Sequence, residues 1–296
     1  MAQDEIVFYA FTDEAGRKGY IWKLTASNDF EVSLFVSLLI PVSHVDAMRE
    51  NLAVPYQKFC NAAPPDARLH ITDSFRRGNE AWATVAEKVR SEIFQIMLDC
   101  GLFLTYAARR LQISREMHEL VETIKAQAKA ERRSDFVILK SDDSLDSQVD
   151  DEVMLDLALM VDDFAEKRNC ARAEFFFDEI SAHIKERYEK AICRTKNIES
   201  SEALVKAVDP KTGQKHVAKM QFSAPAGSNA THLGGITVAG KTDPLIFAAD
   251  VVTNSLWTHL QSLPEGSPLN VKASLQGWPL SDLAFVEPVE SPFDQY

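Results

Sequence analysis

Residues 173–179 read Ala-Glu-Phe-Phe-Phe-Asp-Glu and form the clearest strand signal in the chain. The run is short and apolar, and a helical pattern lies on each side of it, at 152–168 and at 180–196. A strand of this kind is typical of the centre of a sheet that helices cover on both faces. The stretch therefore predicts an α/β fold in which Asp178 stands at the end of a central strand.

A second strand signal opens the chain and also leads into acids. Residues 6–12 are β-branched and aromatic, and they run into the turn sequence Asp-Glu-Ala-Gly at 13–16. Residues 20–25 and 31–40 predict two further strands, the second of which is stopped by Pro41. Short connections between the three strands favour an antiparallel meander.

Helical spacing of apolar residues dominates much of the remaining chain. The predicted elements are helices at 45–52, 79–100 and 114–133, a strand at 102–107, and a turn at 209–213 between two short apolar segments. Asp243 and Pro244 are the residue types that open a helix, as N-cap and first helical residue. That last helix carries Asp250 inside an apolar stretch.

The domain organisation follows from these patterns. A chain of 296 residues, 46% of them hydrophobic, is long enough for one large domain with an insertion. We expect a single domain over 1–262, interrupted around 110–150 by a polar and helical insertion that includes the acid-rich run 141–151. Residues 263–296, rich in proline and acids, predict an irregular strap or a partner-binding tail.

Charge and composition narrow the classes of protein. The formal net charge of −12 disfavours a protein that coats nucleic acid, but it disfavours a nuclease less, because a carboxylate metal site adds negative charge by design. No signal-peptide pattern and no apolar run of about 18 residues occurs, so we expect a cytoplasmic protein without a membrane span. Phosphate-binding glycine loops, a nucleophile elbow, Cys-x-x-Cys pairs and His-Glu-x-x-His are all lacking.

Three aspartates occupy positions that favour chemistry. Asp13 and Asp178 end strands, and Asp250 interrupts an apolar helix. Buried carboxylates are costly unless they are paired or bind a cation, and strand ends in α/β sheets are common ligand sites. If the three converge, their oxygens suit Mg²⁺ or Mn²⁺ and phosphodiester hydrolysis.

Each aspartate also has a structural alternative. Asp13 is compatible with shaping the turn before Gly16. Asp178 is compatible with capping the helix that starts near Ser181. For Asp250 the alternatives are an ion pair with a nearby lysine or a solvated notch.

The same residues resemble a known family. Tyr9 to Gly16, Leu69-His70, Phe176 to Glu179 and residues 247–250 (Phe-Ala-Ala-Asp) are similar to motifs of the domain-of-unknown-function 3800 family of bacteria and phage-related loci. The resemblance spans most of the chain through short motifs. It implies a ribonuclease-H-like mixed sheet flanked by helices, a divalent metal site at the three aspartates, and a mobile-element or phage-defence setting.

Departures from the family leave the fourth ligand open. The family's serine is Ala15 here, and Arg68 and Leu69 stand where the family often has an acid before its histidine. The candidates for this ligand are His70, Asp73 and Glu80, and ribonuclease-H-like sites favour Glu80, whose alternative is a helix-dipole role. Residues considered for contacts with substrate or for support of the ligands are Glu14, Glu179, His70, Asp73, Arg76 and Arg77.

Two functional hypotheses follow. The first is a Mg²⁺- or Mn²⁺-dependent nuclease or phosphodiesterase that hydrolyses RNA or DNA, with Asp13, Asp178, Asp250 and Glu80 as its catalytic acids. The second is a catalytically inactive ribonuclease-H-like module that binds or regulates through a protein partner, with the C-terminal tail as a docking segment.

Overall fold

The computed structural model describes residues 6–116, 118–119, 123, 148–196, 201–208, 215–222, 229–240 and 242–286. Its centre is a six-stranded mixed sheet with helices on both faces, accompanied by a separate two-stranded hairpin. This confirms the predicted α/β class with helices flanking a mixed sheet.

The sheet has an antiparallel part and a parallel part. The strands are β1 (Val7–Ala15), β2 (Val32–Pro41), β3 (Phe103–Arg110), β4 (Arg172–Phe177), β5 (Ser201–Val208), β6 (Lys215–Phe222), β7 (Leu233–Val238) and β8 (Ala284–Phe285). The order across the large sheet is β7-β4-β1-β2-β3-β8, and β5 pairs with β6. Within the large sheet, β2 runs antiparallel to both of its neighbours, and every other pairing is parallel.

Helices form one layer on each face. They are α1 (Val45–Ala62), α2 (Ile71–Ser74), α3 (Glu80–Cys100), α4 (Val149–Lys167), α5 (Ala182–Lys196) and α6 (Pro244–Gln261). Apolar side chains of α1, α3 and α6 share one buried cluster with the sheet, and those of α4 and α5 share a second cluster on the opposite face. Because β2 lies between the two clusters, all of its residues from Val32 to Ile40 are buried.

The predicted strand at 20–25 is wrong, and so is the three-stranded meander. Ile21–Lys23 and Ala26–Asn28 are 3-10 helices, and Asn28 caps the second by accepting a 3.1 Å hydrogen bond from the Thr25 N–H. Tyr20 forms an isolated β-bridge with Gln148, and Ile21 buries its side chain, but neither residue is part of a strand. The third antiparallel strand is β3, which α1, α2 and α3 separate from β2 in the chain.

Other predicted elements are confirmed, with different ends. The helix expected at 45–52 continues to Ala62 through Pro55, because the buried stripe continues to Phe59. The helix at 79–100, the strand at 173–177 and the helix that Asp243 opens are present. The strands that flank the predicted turn at 209–213, β5 and β6, pair antiparallel, but the turn itself and most of the predicted insertion lie outside the described residues.

The described part of the tail, residues 263–286, packs against the chain's own sheet. Leu275, Trp278 and Leu280 are buried in the α6-side cluster. The amide of Asn270 bonds both backbone groups of Ala108 at 2.8 Å, and β8 extends the sheet beside β3. Among the described helices, none combines the length and apolar character that a bilayer span requires.

Candidate functional site

Two aspartates meet at the carboxyl ends of adjacent parallel strands. In the pairing of β1 with β4, Thr12 lies opposite Phe177, so the residues that follow them, Asp13 and Asp178, also lie side by side. Neighbouring strands lie about 4.8 Å apart, and alternation places both aspartates on the α6 face. The residues two positions earlier, Phe11 and Phe176, stack on that face with ring centroids 5.1 Å apart.

Asp250 reaches the same place from α6. The Asp243 side chain fixes the start of this helix by accepting a 2.9 Å hydrogen bond from the Leu245 N–H, and the helix packs across β1 and β2. Asp250 Oδ2 accepts a 2.7 Å hydrogen bond from the backbone N–H of Ile71. This bond ties α6 to the start of α2 and holds the carboxylate in one orientation.

His70 lies between two of the acids. Its Nδ1 is 3.7 Å from Asp250 Oδ2, and its Nε2 is 3.9 Å from Asp178 Oδ2. Both distances exceed a direct hydrogen bond, so the ring stands beside the two carboxylates without closing on either. The residue is half-buried and precedes the short helix α2.

Asp13 lies within electrostatic reach of the carboxylates of Asp250 and Glu14. Burial against protein atoms is the largest cause that raises the pKa of Asp13 well above its usual value, followed by repulsion from the carboxylate of Asp250 and then of Glu14. The lysine Lys18 opposes this only weakly. Neighbouring carboxylates raise the pKa of Asp13, and a cation bound beside it would remove that repulsion.

The acids line a cleft of about 710 Å³. One wall carries Asp13, Asp178, Asp250 and His70, and the turn after β1 contributes Arg17 and Lys18 to the same cleft. Asn254 and Trp257 follow Asp250 by one and two turns of α6 and line it as well. The cleft therefore joins a carboxylate cluster to a cationic loop.

The turn after β1 requires a glycine at position 16. Its φ is +91°, and a Cβ added there would lie 2.0 Å from the carbonyl oxygen of Val32. The same carbonyl accepts a 2.9 Å hydrogen bond from the indole N–H of Trp257. The backbone thus packs directly on β2 beneath α6, and no larger residue fits.

Three other expected residues lie at the cleft with Asp13, Asp178 and Asp250, namely His70, Glu14 and Glu179. Ala15, the last residue of β1, lines the cleft as well. Glu14 pairs with Lys18, and Glu179 is exposed while its backbone N–H donates to Asp178 Oδ1 at 2.7 Å. The capping alternative for Asp178 fails, because Ser181 caps α5 through the N–H of Ile184 at 3.3 Å.

The structure does not bring the remaining expected residues to the cleft. Glu80 is exposed, and its pKa is lowered first by a hydrogen bond from its own backbone N–H and then by one from the Gly78 N–H at 3.1 Å. Glu80 therefore has the helix-terminus role and is not placed as a fourth ligand. Asp73 is bound by Arg76 at 2.7 Å, and Arg76 and Arg77 are exposed.

The donor set fits a hard divalent cation in kind. Three carboxylates and one imidazole face a shared cleft, and oxygen donors of this type suit Mg²⁺ or Mn²⁺. In arrangement, no group of three or more His, Cys, Asp or Glu side chains within the described residues is already disposed to hold an ion. Binding would therefore require the side chains of Asp13, Asp178 and His70 to rotate toward the carboxylate of Asp250, which the Ile71 N–H holds in place.

Sequence reasoning missed the cationic loop and the α6 side chains. Arg17 and Lys18 directly follow the turn motif, and a loop that leaves a strand end beside the acids is where substrate contacts are expected. Asn254 and Trp257 lie at four and seven residues after Asp250, which is the spacing of one helix face. Both signals were present in the chain.

No protein-family model matches this chain, and searches of curated proteins and of solved structures found no match for it.

Proposed function

We propose that the cleft is the site of a Mg²⁺- or Mn²⁺-dependent phosphodiesterase that hydrolyses RNA or DNA. The observation that carries the proposal is the register of β1 and β4, which sets Asp13 beside Asp178, with Asp250 close enough to raise the pKa of Asp13. The order β3-β2-β1-β4-β7, in which β2 alone runs opposite to the rest, supports a ribonuclease-H-like fold.

Asp13, Asp178 and Asp250 would hold the ions, and His70 would complete the set. Bound in pairs, such ions supply an activated water and a stabilised leaving oxygen for phosphodiester hydrolysis. The protein's own part is to fix the carboxylates: the strands set the first two, and the Ile71 N–H orients the third. The mobile-element or phage-defence setting rests on the family resemblance alone.

Isosteric variants test the proposal. Asp13→Asn and Asp250→Asn remove one negative charge each, while Asp99→Asn removes a charge from an exposed residue at the end of α3. We expect cleavage of labelled RNA or DNA oligonucleotides in Mg²⁺ or Mn²⁺ to fall by more than the roughly 10–100-fold cost of losing a group that only hydrogen-bonds to a metal ligand. Asp99→Asn should retain wild-type activity.

Retained activity in both cleft variants, with the fold intact by circular dichroism, would show that the acids do not hold the reacting centre. Wild-type cleavage that persists in EDTA would contradict metal dependence. Either result removes the proposal.

One observation favours the second candidate, an inactive module that acts through a protein partner. The ring of His70 occupies the space between Asp178 and Asp250, and no assembled ligand group exists among the described residues. This candidate predicts no cleavage with either ion and a stable complex with a protein that co-purifies. The part of the tail left for such docking, residues 287–296, lies outside the described residues.

A further inference from the structure

The cleft has a cationic loop opposite its acids. Arg17 and Lys18 follow Gly16 on the turn that leaves β1, and both line the cleft that contains Asp13 and Asp250. Their side chains are 42% and 46% exposed, so the charged ends reach water. In the described part of the cleft, these are the permanently charged cations that face the carboxylates.

The loop is anchored at both ends. At Gly16 the backbone packs against the carbonyl of Val32 beneath Trp257. At Gly19 the N–H donates to Asp150 Oδ1 at 3.3 Å, and the carbonyl accepts from Val149 N at 3.0 Å. Anchors three residues apart restrict the backbone that carries the two cations, so that mainly the two side chains remain to be ordered when a ligand binds.

The present partners of the two cations are exchangeable. Arg17 lies 3.6 Å from Glu31, and Lys18 pairs with Glu14 in an i,i+4 contact. The Arg17–Glu31 pair is exposed at both ends and contributes about 0–1 kcal/mol, because solvent screens it, and the Lys18–Glu14 pair is exposed at its lysine end. A phosphate that enters the cleft offers a stronger, charge-assisted partner at little loss.

We propose that Arg17 and Lys18 bind a backbone phosphate of a nucleic-acid substrate whose scissile bond lies at the aspartates. The inference rests on the proposed function. Six carboxyl side chains and two permanent cations line the cleft, so the cleft repels a polyanion until divalent cations enter. The two basic residues then place the strand, and binding depends on both metal and loop.

Fluorescence anisotropy with a labelled single-stranded oligonucleotide tests this on the full chain. Ca²⁺ replaces Mg²⁺ to limit cleavage, and salt is varied between about 50 and 200 mM. Each phosphate contact contributes about 0.7 to the slope of log K against log salt for single strands, so Arg17→Ala with Lys18→Ala, which removes this one contact, should reduce the slope by about 0.7. Lys18→Arg should retain the wild-type slope, because it keeps the charge.

The matched control is Arg77→Ala, which removes an exposed cation outside the cleft and should leave the slope unchanged. In steady-state kinetics with Mg²⁺, Arg17→Ala with Lys18→Ala should raise KM more than it lowers kcat, because Arg17 and Lys18 bind the strand and do not touch the scissile bond.

The outcomes separate the two claims. If the wild type binds and the double variant keeps its slope and KM, the loop assignment is wrong while the aspartate site stands. Failure of the wild type to bind or cleave any oligonucleotide with any divalent cation overturns both. Equal loss of slope in Arg77→Ala would show a diffuse surface effect and would also overturn the loop assignment.

Discussion

Replacing Gly16 with alanine tests how the turn after β1 is built. Alanine at a positive φ costs about 1–2 kcal/mol. The new Cβ would also stand 2.0 Å from the Val32 carbonyl oxygen, where ordinary contact begins near 3.4 Å, so the backbone has to move by more than an ångström. That movement strains the packing by about 1–3 kcal/mol and weakens the Trp257–Val32 hydrogen bond by about 1 kcal/mol.

The structure supplies a matched control for this substitution. Gly78 has a φ of +94°, close to the +91° of Gly16, but nothing lies within 4 Å of the Cβ it would gain. We therefore expect Gly78→Ala to lose about 1–2 kcal/mol and Gly16→Ala to lose at least about 2 kcal/mol more. Urea unfolding of both variants, at equal m-values, measures the difference.

Equal losses for the two variants, within about 0.5 kcal/mol, would refute the close-packing argument, since only the φ cost would remain. The proposed function adds a second readout for Gly16→Ala. The cleavage rate of Gly16→Ala should fall by more than the loss of folded protein accounts for, because the displaced backbone moves Arg17 and Lys18 away from the aspartates.

Three further changes have predicted outcomes. The raised folded pKa of Asp13 means that its stabilising contribution is present below the unfolded value of 3.8 and is lost as pH rises through the folded pKa. Asp13→Asn should therefore abolish cleavage yet raise the free energy of unfolding at neutral pH by about 1–2 kcal/mol, with a flatter pH profile in thermal melts. Arg110 is buried and donates to the carbonyl oxygens of Leu263 and Pro264 at 3.1 Å. Arg110→Met should therefore lower the free energy of unfolding by about 2 kcal/mol and release the segment that begins at residue 263. Faster limited proteolysis after residue 262 would detect that release. Asp243→Ala should cost about 1–2 kcal/mol in chemical unfolding, because α6 loses its N-cap, and no loss would contradict the capping assignment.

Two of the three acids were predictable for a general reason. Asp13 and Asp178 both end apolar strand signals, and strand ends of an α/β sheet gather at one edge. Asp250 stood out because an acid inside an apolar helix needs a partner. The partner itself, the N–H of Ile71, lies 179 residues away in sequence, and no local pattern encodes such a contact.

Two expectations that differ from the structure have local causes. Residues 20–25 have strand-like composition, but positive φ at Gly19 and the Thr25–Asn28 cap fold them into 3-10 turns. Glu80 was selected by analogy with other sites, and its position after Gly78 instead makes it a helix-start acid. Local turn and cap chemistry thus decides elements that residue composition leaves open.

Anomalous diffraction from crystals soaked in Mn²⁺ tests the central claim most directly. The account predicts manganese within roughly 2.0–2.4 Å of carboxylate oxygens from Asp13, Asp178 and Asp250 in the wild type, and a lost or much weaker peak in Asp13→Asn. An empty cleft in crystals that bind Mn²⁺ elsewhere, or one in which His70 keeps the acids apart at saturating Mn²⁺, would contradict it.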